Sequence, residues 1–290
     1  MFASKRLTIL VILCSLSRDR HELAERVLSS IDFHSSELDF DLVIVDNGSS
    51  HEHSIQRISK RNIFIKLKEN IGYWEALYWC LHSKNSPLSE KNSDYLYIIE
   101  SDHVHFDLRA LNYVMESLDK IPTIVSARVG EFNVRKRFLF SKEMTYLPFR
   151  RYRSLISLRN AITKEIVKFR VINQERGIYI ANWHARLPNV SRTSVLKEVF
   201  VALASLENFT EYDFFELMHK QSSDILVLDK GIYFPGSWSK NSNRVLAGSW
   251  ITKYKGNSST YKETRHSKLH KDILRIKPER ISMPNNDVSK

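Results

Sequence analysis

Leu7-Thr8-Ile9-Leu10-Val11-Ile12-Leu13, running into Cys14-Ser15-Leu16-Ser17-Arg18, decides the fold of this chain. Seven residues in a row are apolar or β-branched, with no polar alternation. A strand with one wet face alternates; a strand buried on both faces does not, and that is the pattern of a parallel sheet covered by helices. The run is too short to cross a bilayer. Lys5-Arg6 before it give it some look of a signal peptide. No small-residue cleavage site follows, because Ser17-Arg18-Asp19-Arg20 comes next, so the reading is a first strand.

Downstream of this strand the period changes. Leu23, Val27, Leu28 and Ile31 recur at helical spacing over 19–31. A second apolar strand, Asp41 to Val45, ends in the turn formers Asp46-Asn47-Gly48-Ser49-Ser50. A polar helix near 51–60 then leads to a short strand, Ile63 to Leu67. A helix follows over 72–83, with Trp74, Leu77, Tyr78 and Leu81 on its apolar side, and then a strand from Asp94 to Ile99 that runs into Glu100-Ser101-Asp102-His103. Four strand–helix alternations in the first 120 residues imply βαβ units and an α/β, mostly parallel sheet flanked by helices. Ligands of such sheets bind at the carboxyl ends of the strands. The clusters Ser15–Arg18, Asp46–Ser50 and Glu100–His105 all fall there.

The second half is expected to hold helices over 193–206 and 210–221 and a strand from Asp224 to Leu228. Residues 131–176 are basic and aromatic around Arg150-Arg151-Tyr152-Arg153. Between Lys253 and Arg280 nine Lys/Arg face three acids, 9 − 3 = +6. This tail reads as an extension outside the core. The expected organisation is one domain over 1–250, a ligand-binding half over 1–120 and an acceptor half over 121–250, with a basic extension over 251–290.

The 290 residues are 42% hydrophobic, enough for a sizeable core, and the net charge is +11. That charge suits a polyanionic partner: nucleic acid, an anionic membrane or a phosphate-bearing substrate. Two distant cysteines, Cys14 and Cys80, give no disulfide framework, which points to a reducing compartment and the cytoplasm. No recognised nucleic-acid-binding motif accompanies the charge, so nucleic acid is not the expected partner.

Chemistry gathers at the strand ends. Glu100 and Asp102 alternate on an extended segment and can face one ion, with His105 nearby. Hard carboxylate oxygens hold divalent cations, and such a cation neutralises a diphosphate. A strand-end turn with two solvated acids explains the same residues without a metal.

Here the sequence resembles a family. Val43-Ile44-Val45-Asp46-Asn47-Gly48-Ser49-Ser50 is similar to the V-D-[DN]-G-S strand end of the family 2 glycosyltransferases. Asn70-Ile71-Gly72, followed by Ala76, resembles their N-x-G-x-x-x-A segment. Glu100-Ser101-Asp102 stands where they carry D-x-D, and Cys14 to Arg18 stands where they carry P-T-Y-N-R. The resemblance covers about residues 7–107 in order and spacing. It implies a GT-A-like (Rossmann-like) fold and the transfer of a sugar, with inversion, from a nucleotide-diphosphate sugar such as a UDP-sugar. The acceptor would be a glycan, glycolipid or other anionic molecule. It implies a divalent cation, Mn²⁺ or Mg²⁺, on Asp102 with Glu100, and His103, His105 or water as a further ligand. It places Asp46 on the nucleoside, with Ser15, Ser17, Arg18, Asn47, Gly72 and Ser101 around the donor. Further on, Thr210-Glu211-Tyr212-Asp213 resembles the family's E-D-x-D helix and points to Glu211, flanked by Asp213, as catalytic base. Thr210 with Asp213 three residues on also reads as a helix cap.

The chain departs from the pattern at Glu100, at Leu16, at Trp79 (where an asparagine often stands) and near Phe234, where relatives often carry a histidine. Asn182-Trp183-His184 and Phe234-Pro235-Gly236-Ser237-Trp238 are candidate acceptor loops, and the basic tail a candidate contact with a membrane surface. The rivals are a nucleotidyltransferase, which would want a glycine-rich loop after strand one, a basic nucleic-acid-binding protein, and a transferase-like fold without catalysis.

Overall fold

The computed structural model describes residues 6–50, 62–89, 91–101, 103–105, 107–130, 144–145, 160, 162–183, 185, 187–229, 231–235, 266–267 and 269–280. Its first strand is β1 (Leu7–Leu13), with all seven residues buried. Alternation shares them between two layers: Leu7, Ile9, Val11 and Leu13 enter one core, Leu10 and Ile12 the other. The parallel partners are β2 (Asp41–Asn47), β3 (Asn62–Leu67) and β4 (Tyr95–Glu100), in the order β3-β2-β1-β4. Helix α1 (Arg18–Phe33) and α3 (Ala110–Lys120) cover one face. Helix α2 (Tyr73–His82), α4 (Thr193–Ala204) and α5 (Glu211–Gln221) cover the other.

Beyond β4 the sheet changes direction. Next to β4 lies β10 (Asn189–Arg192), antiparallel, and beside it β6 (Ser126–Arg128), which again follows the direction of β4. Then come β12 (Ile225–Leu228), parallel to β6, and the antiparallel run β9 (Ile178–Ala181), β8 (Lys168–Asn173) and β7 (Met144–Thr145). By direction β3, β2, β1, β4, β6, β12 and β8 run one way and the rest the other, so the sheet is mixed and mostly parallel, as expected. A two-stranded sheet of β5 (His103–His105) and β13 (Tyr233–Pro235) sits beyond the end of β4. Another joins β11 (Asn208–Phe209) to β14 (His266–Ser267).

The tail departs from its expected place outside the core. Leu269 is buried, and Ile273, Leu274 and Ile276 pack against the α2 layer. Ser83 Oγ donates to Leu274 O (2.7 Å), and Trp79 Nε1 and Asn85 Nδ2 both donate to Ile276 O (3.1 Å each). The last strand, β15 (Glu279–Arg280), then pairs antiparallel with the open edge of β3. Charge dominates the composition of this segment, but its few apolar residues suffice to dock it. No described helix is long and apolar enough to cross a membrane.

Candidate active site

The carboxyl ends of β1, β2 and β3 are bound to one another. Leu13 lies opposite Asp46 in the β1–β2 register. Asp46, buried, accepts a hydrogen bond from Ser49 N at Oδ1 (2.8 Å), the self-closing turn that an Asp at a strand end makes. Ser49 Oγ accepts from Ser15 N (2.8 Å), and Ser50 donates to Ser15 O through both its N and its Oγ (3.1 Å each). The loop after β1 and the loop after β2 thus form one rim. Ser15 Oγ is buried in that rim and meets no partner among the described residues. Burial first, then the Asp46 charge, pushes the neighbouring Cys14 thiol up from its ordinary value.

Successive residues on a strand point to opposite faces, so Asn47 turns away from Asp46 and toward α2. Its Nδ2 donates to Asn70 Oδ1 (3.1 Å) and Gly72 O (3.0 Å), and its Oδ1 accepts from Ile71 N (3.0 Å). Asn70 in turn donates to Cys14 Sγ (3.2 Å) and accepts from Gly72 N (2.9 Å). Asn47 therefore positions the loop before α2, with both ends of its amide already engaged. The two glycines are backbone requirements. Gly48 has φ +70°, and a Cβ there would lie 2.2 Å from Asn70 N and 2.4 Å from Glu69 C. Gly72 has φ +95°, and a Cβ there would lie 2.1 Å from Glu75 Oε2. Glu75, half-buried in the first turn of α2, has its carboxyl pushed up by burial.

Ser17 and Arg18 sit on the solvent side of the rim. Ser17 is the N-cap of α1, accepting from Arg20 N (3.4 Å), and Arg18 reaches along the helix to Glu22 (3.1 Å). At the end of β4, Leu96 and Ile98 enter the α2 layer, so Glu100 belongs to that side of the sheet. Glu100 is 39% exposed, and Ser101 follows in a turn. Asp102 lies outside the described residues. The structure brings His103 to Glu100, at 4.0 Å between Nδ1 and Oε2. His105 instead faces α1: its Nε2 bonds Tyr97 Oη (2.9 Å), and its backbone N donates to Ser30 Oγ (3.0 Å). Burial, reinforced by the charges of His103 and His34, lowers the His105 imidazole to about 3. Among the described residues no three His, Cys, Asp or Glu side chains converge as a metal site.

The start of α5 comes to the same rim by topology. Antiparallel β10 ends at the amino end of β4, with Arg192 opposite Tyr95 and Thr193 N bonded to Asp94 O. Helix α4 climbs back, so α5 begins on the carboxyl side. There Trp74, in the first turn of α2, meets Phe209 and Phe214 at 5.7 and 5.4 Å between ring centroids. Asp213 is taken up by a capping box: its Oδ2 accepts from Thr210 N (2.6 Å) and Thr210 Oγ1 (2.7 Å). Glu211, two residues earlier and half-buried, takes no part in that box. Of the candidate acceptor loops, Trp183 is buried under Arg128, and Asn182 ties β8 to β9 by accepting from Lys168 N (2.6 Å). Phe234 and Pro235 fall in β13, while His184, Gly236–Trp238 and Arg150–Arg153 lie outside the described residues.

No protein-family model and no curated protein matches the chain. Among solved structures it is similar to S. aureus TarS 1–349, with 16% identity and a TM-score of 0.48, over 80% of this chain and 60% of that one. It is similar to 4-diphosphocytidyl-2C-methyl-D-erythritol synthase, with 13% identity and a TM-score of 0.45, over 85% and 99%. It is also similar to glucosyl-3-phosphoglycerate synthase from Mycobacterium tuberculosis in complex with Mn²⁺, UDP-glucose and phosphoglyceric acid, with 12% identity and a TM-score of 0.43, over 91% and 86%. The chain thus spans about 60% of the TarS structure's length.

Proposed function

We propose that this chain is a GT-A-type glycosyltransferase that moves a sugar from a nucleotide-diphosphate sugar, a UDP-sugar first among them, to an acceptor hydroxyl with inversion. The observation that carries the reading is the rim itself. A buried carboxylate (Asp46), a buried hydroxyl with no hydrogen-bond partner among the described residues (Ser15), a carboxylate at the next strand end (Glu100) and the acidic start of α5 share one edge of the sheet. Asp46 and Ser15 suit the polar edge of a nucleoside. Glu100, half-exposed and oxygen-bearing, fits a divalent cation, which it would hold together with Asp102; Mn²⁺ or Mg²⁺ there would neutralise the departing diphosphate. Glu211 would take the proton from the incoming hydroxyl, and Asp213 keeps the helix start in place. The glycine-free loop Cys14–Arg20 weighs against nucleotidyl transfer.

The test is a thermal-shift and calorimetric screen of UDP-glucose, UDP-GlcNAc and other nucleotide sugars, with and without Mn²⁺. A ligand at a hundred times its dissociation constant should add about 2.7 kcal/mol of stability. Asp46→Ala should remove that gain in a folded protein, and Asp102→Asn should remove its metal dependence. Glu211→Gln should keep donor binding and slow turnover by roughly 10²–10⁴. A folded chain that no nucleotide sugar stabilises would end the reading.

A further inference from the structure

One short segment near the end of the chain touches both sides of the candidate site. It begins at β14, where His266 and Ser267 pair with Phe209 and Asn208 of β11. The residue after β11 is Thr210, the N-cap of α5, and Glu211 follows it. The segment then crosses α2. Leu269, Ile273, Leu274 and Ile276 pack on the α2 layer, while His270, Lys271, Asp272, Arg275 and Lys277 stay exposed. Trp79 and Ser83 at the far end of α2, with Asn85 just beyond, donate to two of its carbonyls, Leu274 O and Ile276 O. It finishes at β15, where Glu279 lies opposite Lys66 of β3. The next residue of β3, Leu67, lies opposite Asn47, which holds the loop before α2. The start of α5 also meets α2 directly, through the rings of Trp74, Phe209 and Phe214. Apolar contact of that kind is non-directional and leaves packed elements free to slide. Strand pairing and hydrogen bonds to carbonyls are directional, and they set a register.

We infer that residues 266–280 are a strap that fixes the start of α5, and with it Glu211, against the donor-binding rim, an inference that rests on the transferase reading above. The strap touches no reacting atom; it is a positioning element. Transfer needs the base within hydrogen-bond reach of the acceptor hydroxyl, and a misplacement of about 1 Å costs roughly 10²-fold in rate. Nucleotide binding asks less of the strap, because the loops after β1 and β2 hold Ser15 and Asp46 by their own bonds. The polar grip of α2 is on the main chain of the segment, so its place depends on the donors of α2 rather than on its own charges.

The test is hydrogen exchange and turnover in the full chain carrying Ser83→Ala and Asn85→Ala together. With two hydrogen bonds to the strap lost, exchange should quicken by about tenfold or more at both of its ends, Ile65–Leu67 and Asn208–Glu211. UDP affinity should stay as it was. Hydrolysis of UDP-glucose or UDP-GlcNAc, with water standing in for the acceptor, should slow by roughly 10²-fold at unchanged KM. Ser83→Thr, which keeps the hydroxyl, should behave like the unaltered chain. If the double variant does not fold, Asn85→Ala alone puts the same question to one bond. Quickened exchange confined to 269–280, with Asn208–Glu211 unmoved, overturns the strap, and so does undiminished turnover when both ends exchange faster. A chain that binds no UDP ends the transferase reading, and exchange at the two ends then decides on its own whether the strap joins them.

Discussion

The rim at β1–β3 and the start of α5 both place carboxylates at one edge of the sheet, yet they are built in opposite ways. At the rim the loops are tied to one another across the sequence: Ser49 and Ser50 hold Ser15, Asn47 holds 70–72, and Asn70 reaches back to Cys14. At α5 the support is local, Thr210 and Asp213 bonding each other three residues apart. Damage at the rim should therefore spread across three loops, whereas damage at α5 should stay where it is made.

Gly48→Ala attacks the rim most directly, since the new Cβ meets backbone that cannot swing aside. Chemical denaturation should show a loss of about 3 kcal/mol, from left-handed strain plus forced separation of the loops, and UDP binding should vanish with it. A loss below about 0.5 kcal/mol, the scale of an ordinary surface change, would mean the loops are not locked together.

Leu269→Ala probes the rim from a distance, through the segment that packs on α2. It should cost about 2–3 kcal/mol, the scale of a cavity at a well-packed leucine. A chain ending at residue 280 should melt like the full one. If Leu269→Ala melts unchanged, α2 stands without the C-terminal segment.

Asp213→Asn should cost about 1 kcal/mol, as losing a cap does, with nucleotide affinity intact. A larger loss, or one that takes UDP binding with it, would show that α5 is tied into the rim after all.

The smallest effect is at the far end of α2. Burial holds the His82 imidazole below its ordinary 6.5; the Lys197 charge adds to this, and a backbone hydrogen bond to Lys197 opposes it. The folded state resists the proton that the unfolded state accepts. Stability is therefore full above pH 6.5 and falls as pH drops through that value. Melting temperature plotted against pH should slope more gently in His82→Gln. Identical slopes would mean that His82 is solvated in the native state.

The contrast also explains what could be read from the sequence. Strands β1, β2 and β4 announce themselves because burial on both faces writes an uninterrupted apolar run. The α5 cap is legible because Thr210 and Asp213 are neighbours in sequence. The rim's lacing is only half legible: Asp46 closes on Ser49 within the motif, but the partners of Asn47 lie 23 to 25 residues away. Antiparallel β10 was hidden, since Asn189-Val190-Ser191-Arg192 reads as a polar approach to α4, and only its insertion between β4 and β6 makes it a strand. Trp79 reads as a departure from a family pattern. In the fold it is the fully buried side chain whose indole N–H receives the C-terminal segment. No local signal carries that information, because its partner is 197 residues downstream.

That long reach has a consequence for how the molecule is made. β3 is complete once residue 67 has been added, but β15, the strand that closes its edge, is the last described element of the chain. During synthesis the first half carries a bare row of backbone donors and acceptors, the surface on which nascent chains join one another. Sealing it requires closure of a loop more than two hundred residues long, among the slowest kinds of contact a chain forms. The first half of this protein to emerge is thus the last to be finished, and a ribosome that stalls before residue 269 would leave behind a sticky sheet rather than a smaller folded protein.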